Sequence, residues 1–368
     1  MGTGSGLEEE LQALHEIVEL AHKKLPRNIW GYLVGGTETE TTVARNRHAL
    51  DQIAFKPRVC RDVSRIDMTR TVFGKEVRLP VALAPVGSLE SFEEGGGATV
   101  AKAAARFGVP YFLSSVTKPG LEDAAKAAPD AHRIFQLYVR GDDSFVDDYV
   151  KRARDSGYQT FCITVDTAIY SRRERDLVNR FKKPWRVRAT GQDYQAAWSW
   201  DNVRRFKEKH DIPLILKGIN TAEDAAIAVD LGVEGIYVSN HGGRQLDHGR
   251  GSAACLPEVV DAVAGRATVI LDGAVCRGTD IVKALALGAD LVVIGRLMCY
   301  GLAAAGEAGI VRVLELLEEE VHETLGRLGA HGFGEVNRTW LATAPAMTTP
   351  HVHSAFPHLR LPDWRSGG

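Results

Sequence analysis

The chain has 368 residues, 45% hydrophobic and 25% charged, which suits one large globular domain or two small ones. A formal net charge of -2 gives no polyanion-binding bias, so nucleic acid is not an expected partner. No apolar run reaches the roughly 18 residues of a membrane span, and no charged-then-apolar leader opens the chain. The five cysteines are scattered, with no CxxC or Cys/His cluster. Neither a membrane anchor, a disulfide framework nor a metal site is expected, and a reduced, cytoplasmic setting is the default.

In chain order, Gly2-Thr-Gly-Ser-Gly6 reads as a frayed end and residues 7–50 as helical. With a short β segment they form an N-terminal extension over 1–80. From Val81 onward, short β-branched runs alternate with amphipathic helical stretches. The runs 81–85, 111–115, 134–139, 161–166, 213–217, 236–240, 268–272 and 291–295 read as strands one to eight. Each precedes a helix, the last one long and running through Leu328. The strands are apolar throughout, as expected where both faces are buried. Eight such units predict an α/β fold, a closed (β/α)8 TIM barrel over 81–332, with an open doubly wound sheet as the alternative. The polar, aromatic and unpatterned span 181–197 reads as a mobile loop over strand four. Residues 333–368, rich in Pro, His and Thr from Ala344, read as an irregular tail.

Barrels place their chemistry at the C-terminal strand ends. Here those ends carry Pro85-Val86-Gly87, Ser114-Ser115, Gln136-Leu-Tyr138, Thr164-Val-Asp166, Lys217-Gly218, Ser239-Asn-His241, Asp272-Gly273 and Gly295-Arg296. Polar groups converging on one mouth describe a site. Asp272-Gly-Ala and Gly295-Arg296, at strands seven and eight, stand where barrels bind phosphate. No GxGxxG follows a strand, which disfavours a nicotinamide site. A redox acceptor with a single phosphate, FMN, fits the mouth better, with Lys217 at the electron-rich edge of its ring. His241 is suited to proton transfer near neutral pH, and Arg244 offers a planar fork for a carboxylate. Asp166 is placed to hold the imidazolium that forms. A satisfied loop histidine and a salt-bridged core lysine are the plainer readings of His241 and Lys217.

The motif Ser239-Asn-His-Gly-Gly-Arg-Gln-Leu-Asp247 resembles that of the FMN-dependent 2-hydroxy-acid oxidases and dehydrogenases. Lys24-Leu-Pro, Gln136-Leu-Tyr138, Thr164-Val-Asp166, Arg172-Arg173 and Leu216-Lys-Gly218 match in order and spacing, and the resemblance spans residues 24–332. It implies His241 as general base, oriented by Asp166. Arg173 and Arg244 would bind the substrate carboxylate, helped by Tyr32, and Tyr138 would bond the substrate hydroxyl. Lys217 would stabilise negative charge on the flavin. Pro85, Val86, Gly87, Ser114, Gln136, Thr164 and Ser239 would contact the ring and ribityl chain. Asp272, Gly273, Ala274, Cys276, Gly295 and Arg296 would hold the ribityl and phosphate. The resemblance further implies oxidation of an (S)-2-hydroxy acid, with dioxygen or another acceptor taking the electrons, and a homo-oligomer, by analogy a tetramer.

Three departures stand out. The family pattern Asp-Gly-Gly-[Val/Ile]-Arg becomes Asp272-Gly-Ala-Val-Cys276, so a flavin-contacting arginine is missing, and Arg277 one position on is expected to point elsewhere. Weaker FMN binding, with more of the phosphate charge on Arg296, is the expectation. Val116 stands where glycolate-type oxidases have tryptophan, and Gly87 where many have alanine. Val116, Leu33 and a short loop after strand four, without an apolar insertion, predict a larger aliphatic or mandelate-like aromatic substrate and argue against a membrane-bound type. An FMN-barrel isomerase and a non-catalytic flavin-binding barrel are the alternatives.

Overall fold

The computed structural model describes residues 6–183 and 191–361. Residues 2–5 of the expected frayed end, 184–190 of the expected mobile loop and the last seven residues lie outside them. Eight parallel strands close in chain order. They are β1 Val81–Leu83, β2 Tyr111–Ser114, β3 Arg133–Leu137, β4 Thr160–Thr164, β5 Leu214–Ile219, β6 Gly235–Val238, β7 Thr268–Leu271 and β8 Leu291–Ile294. The closure bears out the predicted (β/α)8 barrel.

Side chains alternate along each strand, and the alternation decides what reaches the mouth. Ala82, Phe112, Ile134, Cys162, Ile215, Tyr237, Ile270 and Val293 pack together inside the barrel. The hairpin Arg70–Val72 and Lys75–Val77 closes the floor by adding Val72, Phe73 and Val77 to that cluster. Leu83, Leu113, Phe135, Ile163, Leu216, Val238, Leu271 and Ile294 face the helices. Two residues past each interior residue, the same inward direction delivers Ala84, Ser114, Gln136, Thr164, Lys217, Ser239, Asp272 and Gly295. The polar strand ends are thus one layer of the barrel, stacked on an apolar plug.

The N-terminal extension wraps one side of this mouth. Helix Arg27–Val34 buries Trp30, Tyr32, Leu33 and Val34, and helix Thr41–Asp51 buries Asn46 and Arg47. Asp247, the last residue of the motif after β6, holds the second helix by its first turn. Its carboxylate accepts from Thr39 N at 2.9 Å and Thr42 N at 2.9 Å, an N-terminal cap supplied from another part of the chain.

Two expectations need correction. Residues 333–343 are not irregular: a 3-10 turn at Arg338–Trp340 leads into strand Leu341–Thr343, which pairs antiparallel with Ile53–Phe55. Tertiary pairing with the extension makes a strand of a three-residue run too short to show a local pattern. The last helix, Arg296–Leu328, breaks at Ala305 and Gly306, whose φ of 60° leaves the helical region. That helix is long and apolar enough by composition to cross a membrane, but 72% of its most apolar window is buried inside the protein.

Candidate active site

A single cleft over the barrel mouth takes in most of the predicted residues. Tyr32, Tyr138, Arg173, Lys217, His241 and Arg244 line it, as do Pro85, Val86 and Gly87, the turn Asp272–Cys276, and Gly295 with Arg296. Ser114, Gln136, Thr164 and Ser239 do not line it. They lie beneath, at most 2% exposed, as the floor on which the lining rests.

His241 is the centre of the arrangement. Its backbone φ of 60° is unusual for a residue with a Cβ, a local strain held by its surroundings. Its N–H donates to Ser239 Oγ at 3.0 Å. Its Nδ1 lies 3.1 Å from Asp166 Oδ1 and its Nε2 3.2 Å from the Tyr138 hydroxyl. The carboxylate accepts from Nδ1–H, which leaves the Nε2 lone pair facing the cleft. Burial lowers the His241 pKa below its ordinary value more than Asp166 raises it, so the ring is neutral and able to accept a proton. Burial pushes Asp166 up, but His241 and then Lys217 outweigh it and hold the acid below its usual range. Burial also drives the Tyr138 hydroxyl pKa upward, so it stays a donor.

Gly218 makes this geometry possible. At its φ of 118°, a Cβ would stand 2.6 Å from Asp166 Cβ and 2.9 Å from Asp166 N. The glycine of the Lys217-Gly218 pair is therefore the space that Asp166 occupies.

Lys217 is buried, donates to Ser239 Oγ at 2.7 Å and lies 3.5 Å from Asp272 Oδ2. Desolvation opposes its charge, but Asp272 and Asp166 more than restore it, so the pKa is raised and the ammonium persists. Arg173 and Arg244 line the same cleft. Arg173 Nε donates to Ser171 Oγ at 3.2 Å and to the Arg244 carbonyl at 3.3 Å. Arg244 Nη1 donates to the carbonyls of Tyr32 at 2.8 Å and Gly35 at 2.7 Å, the C-terminal end of helix Arg27–Val34. Burial, with Arg173 as the next cause, lowers the Arg244 pKa to about 10. Tyr32 donates its hydroxyl to the Gly87 carbonyl at 3.1 Å, tying the extension to β1.

At the end of the cleft expected to take the phosphate, the turn after β7 is held by several hydrogen bonds. Arg47 forms a two-pronged pair with Asp280, both contacts at 2.7 Å, and also donates to the Ala274 carbonyl at 2.9 Å. Asp280 in turn accepts from Cys276 N at 3.0 Å. The Cys276 thiol lines the cleft as a neutral group, its pKa pushed up to about 12 by burial. Arg277 points away, to Glu320 and the Ala355 carbonyl, as expected. Arg296 faces the cleft, yet it donates to the carbonyls of Leu33, Gly242 and Gly35 at 3.2, 2.9 and 2.8 Å.

These residues fit FMN. Gln136 donates to Thr164 Oγ1 at 2.9 Å, but its buried Oε1 has no partner, and neither has Asp272 Oδ1. These two buried acceptors, one in the floor and one in the lining, would suit donors such as a ring N–H and a ribityl hydroxyl. Lys217 supplies a cation beside them. Gly273 and Ala274, at φ of 112° and 57°, line the cleft with backbone that would meet a phosphate there, and Arg296 would supply the charge.

Several lining residues were not anticipated from the sequence. Arg140 stands two residues beyond Tyr138 and shares its inward direction, so alternation alone could have found it. Lys183, Gln192 and Gln195 also line the cleft. Gln192–Ala196 is a helical turn inside the span expected to be a loop, and no periodicity marked Lys183.

The model of the FMN-dependent dehydrogenase family matches residues 21–343. Glycolate oxidase 3 of Arabidopsis thaliana is 38% identical over 368 residues, covering 94% of this chain and 99% of that one. Glycolate oxidase of Spinacia oleracea is 38% identical over 355 residues, covering 90% and 96%. Among solved structures, mandelate oxidase with (S)-2-phenylpropionate superposes with a TM-score of 0.84 at 38% identity, covering 91% of this chain and 99% of that chain. Mandelate oxidase with 3,3-difluoro-2-hydroxy-3-phenylpropionic acid gives 0.85 at 38% identity, covering 92% and 100%. The chain belongs to the FMN-dependent dehydrogenase family, and its cofactor is FMN.

Proposed function

We propose that the protein oxidises an (S)-2-hydroxy acid to the 2-keto acid, with dioxygen as the acceptor and hydrogen peroxide as the second product. The observation that carries this reading is the His241 ring, its Nδ1 on Asp166 and its Nε2 at the Tyr138 hydroxyl, in a cleft that Arg173 and Arg244 also line. Glycolate and mandelate oxidases among the relatives support the reaction class and the acceptor.

Arg173 and Arg244 bind the substrate carboxylate, and their fixed positions orient the neighbouring carbon. The substrate hydroxyl takes the place of the Tyr138 hydroxyl as neighbour of His241 Nε2. His241 accepts a proton from the substrate, and Asp166 stabilises the resulting imidazolium. Tyr138, held protonated, donates to the substrate oxygen. FMN, when bound, takes the two electrons lost by the substrate, and Lys217 offers the nearby positive charge. The alcohol thus loses two electrons and two protons, which dioxygen takes up as hydrogen peroxide.

Val116, Phe92 and Leu33 also line the cleft, which supports a substrate side chain larger than the hydrogen of glycolate. Anaerobic mixing of the yellow holoprotein with a panel of 2-hydroxy acids tests the reading. Bleaching of the flavin, then its return with peroxide on adding oxygen, is expected. A protein that takes up no FMN, or a flavin that no 2-hydroxy acid bleaches, overturns it.

A further inference from the structure

The C-terminal segment beyond strand Leu341–Thr343 returns to the cleft. Val352 lines it, as do Cys276, Arg296 and Tyr300. His353, the next residue, is buried. Its ring stacks on Trp30 of helix Arg27–Val34, with centroids 5.5 Å apart, and Trp30 lies 5.6 Å from the Tyr300 ring of helix Arg296–Leu328. His353 Nε2 is 3.1 Å from the Tyr300 hydroxyl, the one hydrogen-bond partner of that hydroxyl among the described residues.

Packing fixes where the hydroxyl lies, and the imidazole decides which way its proton points. Burial holds His353 neutral, its pKa lowered to about 3, so one ring nitrogen carries a proton and the other does not. Nδ1 is buried with no hydrogen-bond partner among the described residues. A proton there would be an unmet donor. On Nε2 it meets the Tyr300 oxygen and leaves only an unmet acceptor, the better tolerated of the two. Tyr300 then accepts from His353, and its own O–H is free to donate. Burial also drives the Tyr300 pKa upward against the opposing charge of Arg296, so that proton stays in place.

A phosphate at this end of the cleft needs donors. Arg296 already directs three N–H groups to the carbonyls of Leu33, Gly242 and Gly35. Cys276 offers a neutral thiol, which is a weak donor. We propose that the Tyr300 hydroxyl donates to the FMN phosphate and that His353 positions it. A hydroxyl that itself receives a hydrogen bond is polarised and binds an anion more strongly. The C-terminal segment is thereby part of the cofactor site. This assignment concerns FMN binding and stands or falls apart from the 2-hydroxy-acid reading.

The test is fluorescence titration of flavin-free protein with FMN and with riboflavin, which lacks the phosphate. Tyr300→Phe keeps the ring and removes the donor. It should weaken FMN about tenfold and leave riboflavin within about twofold. His353→Leu should likewise weaken FMN more than riboflavin, and should cost no further FMN affinity in the Tyr300→Phe background. In holoprotein saturated with FMN, Tyr300→Phe should also move the phosphorus NMR resonance of the bound phosphate. Unchanged FMN affinity in Tyr300→Phe, an equal loss for both flavins, or an unmoved phosphorus resonance overturns the contact to phosphate. Additive FMN losses from the two substitutions overturn His353 as the residue that positions the hydroxyl.

Discussion

Asp166→Asn removes one charge and almost no volume from the site. In the wild type, Asp166 Oδ1 lies 3.1 Å from His241 Nδ1, and both groups are mostly buried. Once His241 has taken a proton, the attraction across that distance is on the order of 5 kcal/mol at an effective dielectric of about 20. Removing one partner of a buried pair typically costs about 3–5 kcal/mol. The imidazolium forms during the reaction, so the cost falls on the barrier. At about 1.4 kcal/mol per tenfold, flavin reduction should slow by roughly 10² to 10⁴ while FMN stays bound. The pH profile gives an independent sign. His241 works as a base when neutral, and its pKa lies below its ordinary value. Wild-type reduction should therefore be flat near neutral pH and fall only as pH drops through that lowered value. Asp166 is the main influence raising it, so the variant's acid limb should move to lower pH still. Stopped-flow reduction under anaerobic conditions, repeated across pH, reads both effects. A loss below tenfold, or an acid limb that moves upward, would refute the role given to Asp166.

Gly218→Ala places a methyl 2.6 Å from Asp166 Cβ at a φ of 118°. It should slow flavin reduction at least tenfold through displaced Asp166, and unchanged kinetics would show that the crowding is relieved elsewhere. Arg47→Met leaves Asp280 buried and unpaired, so thermal unfolding should reveal a loss of about 3–5 kcal/mol. The double variant Arg47→Met/Asp280→Asn, which removes the charge but keeps an acceptor for Cys276 N, should recover much of it; a double variant as unstable as the single one would contradict the pairing account. Cys276→Arg adds a cation beside Arg296 at the phosphate end. A charge-assisted hydrogen bond of about 1.5–3 kcal/mol should tighten FMN roughly tenfold or more in a fluorescence titration, and equal or weaker binding would count against the neutral thiol as the weak point.

The barrel was legible because its strands are buried on both faces and its helices are amphipathic. The polar strand ends were legible for the same reason: after an apolar interior residue, the next inward position in every strand faces the mouth. Strand Leu341–Thr343 was hidden because its partner, Ile53–Phe55, lies at the far end of the chain, where no local pattern announces the pairing. Asp247 was visible as a motif residue but not as the cap of helix Thr41–Asp51, since a cap supplied from a distant loop has no local spacing. The basic side chains that line the cleft divide the same way. Arg173 and Arg244 fall within motifs and Arg140 shares the direction of Tyr138. Lys183 comes from an unpatterned connection, where only the folded chain shows what it faces.

The central claim is that His241 serves a 2-hydroxy acid held beside FMN. The most direct measurement is anaerobic reduction of the holoprotein by (S)- and (R)-2-hydroxy acids, in the wild type and in His241→Ala. The account predicts that (S)-acids bleach the wild-type flavin, that (R)-acids do not, and that the variant keeps its FMN but is not reduced. Equal reduction of the variant and the wild type would contradict it.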